Sequence, residues 1–259
     1  MLPAIHDTGS GEAVLFLHAF TMDASQWDHQ VAALSGGLRC VRLDVWGCGE
    51  SPAPPAGVPT LDGFATAVLA ALDSRNIDRV AVVGLSMGGY LAFALWRLAP
   101  ARIRALVLCN TRATADAEAP RNDRLTMADQ VEREGSVESI VEPMVARLLS
   151  PTAQAEAHIV DPVRGRIRRC TPAGIAFAQR AMAVRPDSSA LLASINVPTL
   201  VIAGTQDAII PISEVQAMAD SIPQARCVAL DSGHMSNLEL PRAVNEQLAG
   251  FLIPATMAP

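Results

Sequence analysis

Residues 79–89 read RVAVVGLSMGG. The apolar run at residues 79–83 predicts a buried strand, and residues 90–96 have the apolar spacing of a helix. Between them lies a G-x-S-x-G turn centred on Ser86. A serine on a turn between a strand and a helix is a candidate nucleophile, because the turn lifts its hydroxyl clear of the sheet.

Three glycines allow this turn. A serine at its centre takes backbone angles that are normally left to glycine, so side chains two residues before and after it are expected to collide with the turn. Gly84 and Gly88 remove those side chains, and Gly89 is expected to let the helix pack closely on the strand. The G-x-S-x-G pattern alone is weak evidence, and its position between a strand and a helix is what makes it specific.

The composition excludes several classes of function. The chain has 259 residues, 50% of them hydrophobic, which is enough for one large α/β domain or a domain with an insertion. Its formal net charge of −6 argues against nucleic acid or an anionic membrane surface as a partner. All 20 basic residues are arginine, which excludes Schiff-base chemistry, lysine-anchored pyridoxal phosphate and a P-loop. We expect no cofactor.

The five cysteines are odd in number and widely spaced, with no C-x-x-C pair. Cys40, Cys109 and Cys227 fall in apolar strand patterns and are expected to be small buried hydrophobic residues. This usage favours a reducing compartment. The first residues lack the features of a signal peptide, and no apolar run approaches the roughly 20 residues that span a bilayer. We therefore expect a cytoplasmic protein with no membrane partner.

The predicted strands and helices alternate, which favours a parallel sheet with right-handed crossovers. Between residues 112 and 188 the predicted elements are all helical. The predicted fold class is therefore α/β, a mostly parallel, doubly wound sheet with a helical cap inserted between two strands. Residues 1–111 and 189–259 form the predicted core, and residues 112–188 form the cap over the C-terminal edge of the strands. The predicted strands are residues 13–20, 39–45, 79–83, 103–110, 198–204 and 225–230.

The predicted helices of the core are residues 25–34, 60–77, 212–222 and 241–252, besides the one after Ser86. Ser25 and Thr60 are the predicted N-caps of the first two, since both residue types accept hydrogen bonds from the first turn.

A serine hydroxyl needs a base to take its proton and an acid to orient that base. Asp207 follows the predicted strand at 198–204, and His234 follows the predicted strand at 225–230. Parallel strands bring these positions to the same edge of the sheet as Ser86. Asp207 has an alternative role in closing a turn or capping a helix. Asp231, in the same loop as His234, is the rival acid, although its position favours a role in shaping that turn.

These segments resemble the α/β-hydrolase fold, in the capped branch that includes 3-oxoadipate enol-lactonases and small carboxylesterases. The resemblance implies that Ser86 is the nucleophile, His234 the base and then acid, and Asp207 its orienting partner. It also implies an oxyanion hole made by the backbone N–H groups of Phe20 and Met87. It covers nearly the whole chain and rests on residues 17–20, 44–51, 84–89, 204–207 and 233–234.

The chain departs from the family pattern at three places. Relatives usually have glycine where this chain has Ala19, which bears on the loop that presents the Phe20 N–H. Relatives commonly have arginine where this chain has Trp46. The N-terminal segment has room for one of the two leading antiparallel strands. Within the oxyanion loop, His18 is expected to make structural hydrogen bonds.

The resemblance implies hydrolysis of a small carboxylic ester or lactone through an acyl-enzyme. The same three residues also serve thioesterases, C–C hydrolases and cofactor-free perhydrolases, and a non-catalytic ligand-binding protein of this fold is the remaining alternative. His6, His29 and His158 have no partners at ligand spacing, so no metal site is expected. The expected partner is a small-molecule substrate, and the sequence does not decide between a monomer and a homodimer.

Two features of the cap bear on the substrate. Residues 164–169 (RGRIRR) form the one basic cluster, either a solvated face of the cap or a steering patch for a carboxylate-bearing substrate. Six apolar residues have helical spacing and are expected to form the cap core, with a subset lining an apolar pocket. They are Met127, Met144, Leu148, Leu149, Phe177 and Met182.

Overall fold

Seven strands form a single sheet at the centre of the computed structural model, which describes residues 1–253. Across the sheet the strands run in the order β1-β3-β2-β4-β5-β6-β7. Strand β1 is antiparallel to β3, and every other neighbouring pair in this part of the chain is parallel. The strands are β1 (Ile5–Thr8), β2 (Glu12–Leu17), β3 (Leu38–Leu43), β4 (Val80–Leu85), β5 (Ile103–Cys109), β6 (Thr199–Gly204) and β7 (Ala225–Leu230).

Helices fill the connections between the parallel strands. The helices are α1 (Asp28–Leu34), α2 (Leu61–Asp73), α3 (Met87–Leu98), α4 (Glu118–Glu134), α5 (Glu138–Leu148), α6 (Ala157–Arg168), α7 (Pro172–Ala183), α8 (Ser189–Leu192), α9 (Ile212–Asp220), α10 (Ser236–Glu239) and α11 (Pro241–Leu252). The predicted α/β class and the single antiparallel leading strand are confirmed. We use the word cap for α4 to α7, which lie between β5 and β6 in the chain; the boundaries at residues 112 and 188 stay a prediction.

Burial explains why the central strands read as unbroken apolar runs. Every residue of β4 and of β6 is buried, as expected where helices cover both faces of a parallel sheet. Strand β7 lies at the edge of the sheet and is only partly buried. None of the helices within residues 1–253 combines the length and the apolar composition that crossing a bilayer requires.

Two predicted boundaries near the first helix are wrong. Strand β2 ends at Leu17 rather than at residue 20, because the Ala19 N–H turns away to donate to the side chain of Gln26 (2.8 Å). Ser25 does not cap a helix. The Asp23 carboxylate accepts from the Ser25 N–H (3.0 Å) and caps a short 3-10 turn that precedes α1. The prediction for Thr60 is confirmed, since its hydroxyl accepts from the Gly63 N–H (3.0 Å).

A disulfide bond between Cys48 and Cys170 fastens the cap to the core. It joins the loop after β3 to the turn between α6 and α7, where the Thr171 N–H also donates to the Gly47 carbonyl (2.7 Å). The expectation of reduced cysteines is therefore wrong for this pair. The cysteine pattern consequently no longer supports a reducing compartment. The pairing was missed because 122 positions separate the two cysteines.

The remaining cysteines have free thiols. Cys40 and Cys109 are fully buried, as predicted, and burial raises the pKa of the Cys40 thiol to about 11 and that of Cys109 to about 12. Cys227 lies on the edge strand β7 and is only half-buried, contrary to the prediction.

Reducing the disulfide should destabilise the protein measurably. A cross-link that closes a loop of this length restricts the unfolded chain, so Cys170→Ser is expected to lower the free energy of unfolding by about 2–4 kcal/mol. Urea denaturation with and without dithiothreitol measures this loss. The reductant should lower the midpoint of the wild-type protein and leave that of Cys170→Ser unchanged; a wild-type midpoint insensitive to the reductant would contradict the cross-link.

Candidate active site

Ser86 occupies the strained turn that the G-x-S-x-G pattern predicts. It lies between β4 and α3 with φ 55° and ψ −112°. Its N–H donates to the Cys109 carbonyl (2.9 Å), and its own carbonyl accepts from the Gly89 N–H (2.8 Å) and the Thr111 hydroxyl (2.9 Å). These bonds hold a conformation that costs about 1–3 kcal/mol in an L-residue.

Each of the three glycines in this turn permits a close approach that a Cβ would block. A Cβ on Gly84 would overlap the Gly88 carbonyl, so this glycine is required by the turn itself, as predicted. A Cβ on Gly88 would instead overlap the Leu17 carbonyl of β2, and one on Gly89 would overlap the side chain of Thr111. Gly88 and Gly89 therefore let α3 pack against β2 and the loop after β5, which differs from the predicted contacts.

His234 and Asp207 are joined by a buried hydrogen bond. His234 Nδ1 lies 2.7 Å from Asp207 Oδ2, and each side chain is 1% exposed. The other oxygen, Oδ1, accepts from the N–H groups of Ile209 (2.8 Å) and Ile210 (3.0 Å). Burial pushes the pKa of Asp207 up, but the charge and hydrogen bond of His234, together with these backbone donors, hold that pKa below its ordinary value.

Asp231 does not take this place. Its carboxylate is exposed and accepts from the Thr205 hydroxyl (3.1 Å) and the Gln206 amide (2.7 Å). It therefore shapes the turn between the ends of β6 and β7, which is the structural role that the sequence favoured for this residue. Asp207 is the carboxylate beside His234.

Asn110, which the sequence analysis missed, connects the loops that carry Asp207 and His234. Its amide donates to Asp207 Oδ2 (3.0 Å) and to the Gly233 carbonyl (3.3 Å), while its oxygen accepts from the Ser236 hydroxyl (2.7 Å). It is fully buried, with φ 45°. A polar residue directly after the buried strand next to β4 is the only sequence signal that points to it.

Loss of the Asn110 amide should weaken folding in a pH-dependent way. The lowered pKa of Asp207 stabilises the fold above about pH 4, where the carboxyl is ionised in the unfolded chain, and this contribution is lost as the pH falls through the folded-state pKa. Asn110→Leu removes one donor that lowers this pKa. It should therefore reduce the free energy of unfolding at pH 7 by about 1–3 kcal/mol, and by less at pH 3, in urea titrations.

Ser236→Ala is the matched control, because it removes a partner of Asn110 without touching Asp207. Its loss of stability should change less with pH than that of Asn110→Leu. Equal losses at pH 7 and pH 3 for Asn110→Leu would contradict an ionised Asp207 held by this amide.

The two candidate oxyanion donors are unengaged. Within residues 1–253, neither the Phe20 N–H nor the Met87 N–H donates a hydrogen bond. His18 supports the first of them structurally, as expected: the Val45 N–H donates to its Nε2 (2.9 Å), and its Nδ1 bonds the Ala19 carbonyl (2.8 Å). A backbone N–H can only donate, so Nε2 must accept the hydrogen bond from Val45. The ring proton therefore lies on Nδ1, which donates it to the Ala19 carbonyl.

The structure accommodates the two substituted residues, Ala19 and Trp46, among the three departures from the family pattern. Ala19 is fully buried, with its N–H held by Gln26. Trp46 packs edge-on against Phe64 of α2 (4.9 Å between ring centroids) and Phe177 of α7 (5.4 Å). An aromatic contact between core and cap therefore lies at the position where the family commonly has arginine.

Ser86 and His234 line the same cavity, of about 220 Å³. Both side chains line this cavity, but no hydrogen bond connects them within the described residues. Four of the six predicted cap-core residues line this cavity, and Leu149 and Phe177 do not. The lining residues are Phe20, Ser86, Tyr90, Arg112, Pro120, Asp123, Arg124, Met127, Met144, Arg147, Leu148, Gln179, Met182, Ile209 and His234.

The basic cluster at residues 164–169 does not line the cavity of Ser86 and His234. Arg164 and Arg168 pair with glutamates of α5 at the surface, which agrees with the interpretation as a solvated face. Arg166 and Arg169 contact Ser25 and Asp23 instead. The steering hypothesis for this cluster therefore loses its geometric support.

Comparison with known proteins identifies the family. The model of the alpha/beta hydrolase family matches residues 14–247. The chain belongs to this family. Within residues 1–253 of this hydrolase, no group of three or more His, Cys, Asp and Glu side chains is placed to hold a metal ion.

Three similar proteins are enol-lactonases or esterases. 3-Oxoadipate enol-lactonase 1 of Acinetobacter baylyi is 29% identical and covers 96% of this chain and 91% of its own. A thermophilic esterase from Thermogutta terrifontis, solved with malate bound, is 36% identical with a TM-score of 0.92, over 96% of this chain and 92% of its own. The enol-lactonase from Burkholderia xenovorans LB400 is 29% identical with a TM-score of 0.88, over 96% of this chain and 95% of its own. The resemblance inferred from the sequence is confirmed.

Proposed function

We propose that this hydrolase cleaves a small carboxylic ester or lactone through an acyl-enzyme formed on Ser86. The observation that carries the proposal is the buried hydrogen bond between His234 and Asp207 at a cavity that Ser86 also lines. The similarity to enol-lactonases and esterases supports the same reaction class.

The hydrogen bond to Asp207 decides which nitrogen of His234 acts. With the proton on Nδ1 donated to Asp207, Nε2 keeps the lone pair that accepts the Ser86 proton. Ser86 Oγ then attacks the carbonyl carbon, and the imidazolium returns the proton to the leaving oxygen. Water activated by the same nitrogen hydrolyses the acyl-enzyme. The separation between Ser86 and His234 closes when substrate binds, as is common for catalytic hydrogen bonds.

The developing oxyanion requires donors that are not already engaged. The N–H groups of Phe20 and Met87 meet this condition, and each such donor contributes about 3 kcal/mol to the transition state. Their role is part of the proposal.

Covalent labelling tests the nucleophile. A fluorophosphonate should label the wild-type protein at Ser86, and Ser86→Ala should abolish the label, as read by intact mass. Asp207→Asn should lower kcat on p-nitrophenyl butyrate about ten-thousand-fold, because His234 would then favour the wrong tautomer. Asp231→Asn is the matched control and should retain activity. A wild-type protein that is neither labelled nor active on esters would contradict the proposal.

Other chemistry on the same three residues remains the alternative, namely thioester or C–C bond hydrolysis or perhydrolysis. Rates on a panel of esters, lactones and thioesters of varied chain length rank these reactions. Failure to turn over every substrate class, with ligand binding retained, would favour the non-catalytic alternative.

The cavity wall supports a carboxylate-bearing substrate. Three arginines line the cavity, and two of them, Arg112 and Arg124, are paired with Asp116. Arg147 is exposed and forms no ion pair within residues 1–253. We therefore propose Arg147, rather than the cluster at residues 164–169, as the group that attracts a substrate carboxylate.

Replacing Arg147 should separate anionic from neutral substrates. Arg147→Met is expected to raise KM about five-fold for a mono-p-nitrophenyl ester of a dicarboxylic acid, with a smaller change for p-nitrophenyl butyrate. The difference should shrink at high salt, because the guanidinium is exposed. Arg168→Met is the matched control outside the cavity. An effect of Arg168→Met as large as that of Arg147→Met would restore the steering role of the basic cluster.

A further inference from the structure

A second cavity adjoins the catalytic one. This outer cavity measures about 500 Å³ and lies between residues 112–120, α8 and α9. Arg112 and Pro120 line both cavities, so they form the partition between them. Most of the outer wall is small or apolar, with Ala113, Ala115, Ala117, Leu192, Ala217 and Met218 among its residues.

The catalytic cavity is too small for a long substrate. Its volume of about 220 Å³ lies below the roughly 300–1,000 Å³ typical of pockets that enclose drug-sized ligands. An ester with more than a few carbons on either side of the carbonyl must therefore extend beyond it. The outer cavity offers that space, and an apolar wall suits a hydrocarbon chain.

Arg112 is held across the partition by two carboxylates. Its guanidinium pairs with Asp116 (2.8 Å) and with Glu214 of α9 (3.2 Å). Asp116 is 1% exposed and is also bound by Arg124 and Arg185. Burial pushes the pKa of Asp116 up, but the hydrogen bonds from these two arginines hold it far below its ordinary value, so this anchor stays charged.

The other anchor is weaker. Glu214 is 39% exposed, and exposed ion pairs contribute little to stability. The Arg112 Nε atom is buried without a hydrogen-bond partner in the described chain. The Arg112 side of the partition is therefore held firmly only at its Asp116 contact.

We propose that the outer cavity is a subsite for the apolar acyl or alcohol chain of larger esters, and that Arg112 determines how far that chain reaches. The inference rests on the proposed function and adds a specificity-determining residue to it. Removing the Arg112 side chain is expected to open a passage between the two cavities, and each further methylene buried there should improve binding about four-fold.

The chain-length profile tests this role. With p-nitrophenyl esters from acetate to decanoate, Arg112→Ala should raise the kcat/KM ratio of octanoate to acetate at least about ten-fold over wild type. Arg112→Met keeps a long side chain in the partition but removes the ion pairs, and should keep the wild-type ratio. An equal rise in both variants would assign the effect to lost charge and overturn the proposal.

Filling the outer cavity is a second test of the proposed subsite. Ala217 lies exposed on α9 at its wall, so Ala217→Phe reduces its volume without disturbing the core. Added to Arg112→Ala, this substitution should return the octanoate-to-acetate ratio of kcat/KM to the wild-type value. A ratio that stays raised would mean that the chain does not enter the outer cavity.

A binding measurement separates this inference from the proposed reaction. Titration calorimetry compares 1-octanol with 1-butanol on Ser86→Ala and on Ser86→Ala/Arg112→Ala, neither of which needs turnover. The ratio of octanol affinity to butanol affinity should be at least about ten-fold larger for the double variant than for Ser86→Ala. Equal preferences would overturn the subsite, whereas an inactive wild-type protein would contradict only the proposed reaction.

Discussion

The site depends on one spacing, the distance between the loops that follow β6 and β7. The hydrogen bond from His234 to Asp207 forms because these neighbouring loops approach so closely that a Cβ on Gly204 would overlap the Gly233 carbonyl. Asn110 bonds both loops at once and fixes that spacing from the side of β5. A buried ionised carboxyl is costly unless it is fully hydrogen-bonded, so the arrangement is stable only as a complete set.

Helix α10 extends this constraint to the rest of the site. Ser236 bonds Asn110, and Asn237 bonds Gln26, whose side chain holds the Ala19 N–H in the oxyanion loop. Glu239 accepts from the N–H groups of Gly233 and of Ser150, which follows α5 of the cap. One short helix directly after His234 thus links the residue that bonds Asp207, the loop that carries Phe20, and the cap. Displacing any one of them strains the contacts of the others.

Local signals account for what the sequence predicted well. The bounds of β7 and α11 match the structure, because turn residues and proline mark their ends. Asp207 and His234 were identified because the C-terminal ends of parallel strands meet at one edge. Asn110, Asn237 and the Cys48–Cys170 bond were missed, since their partners lie 97 to 211 positions away. The sequence predicted a helix at residues 153–159 only, because Pro162 and Gly165 interrupt the helical pattern in the second half of α6.

The cap is fastened to the core on two sides of the cavity. The disulfide holds the turn before α7, while the Met235 N–H donates to the Leu148 carbonyl at the end of α5, beside His234. The wall on the α4 side includes Arg112, which contacts the core through its ion pair with Glu214. Ion pairs at an exposed boundary cost little to rearrange compared with a covalent bond or a buried hydrogen-bonded set. The cap is therefore fixed most firmly beside His234, and the contact between Arg112 and Glu214 on the α4 side is the weaker attachment.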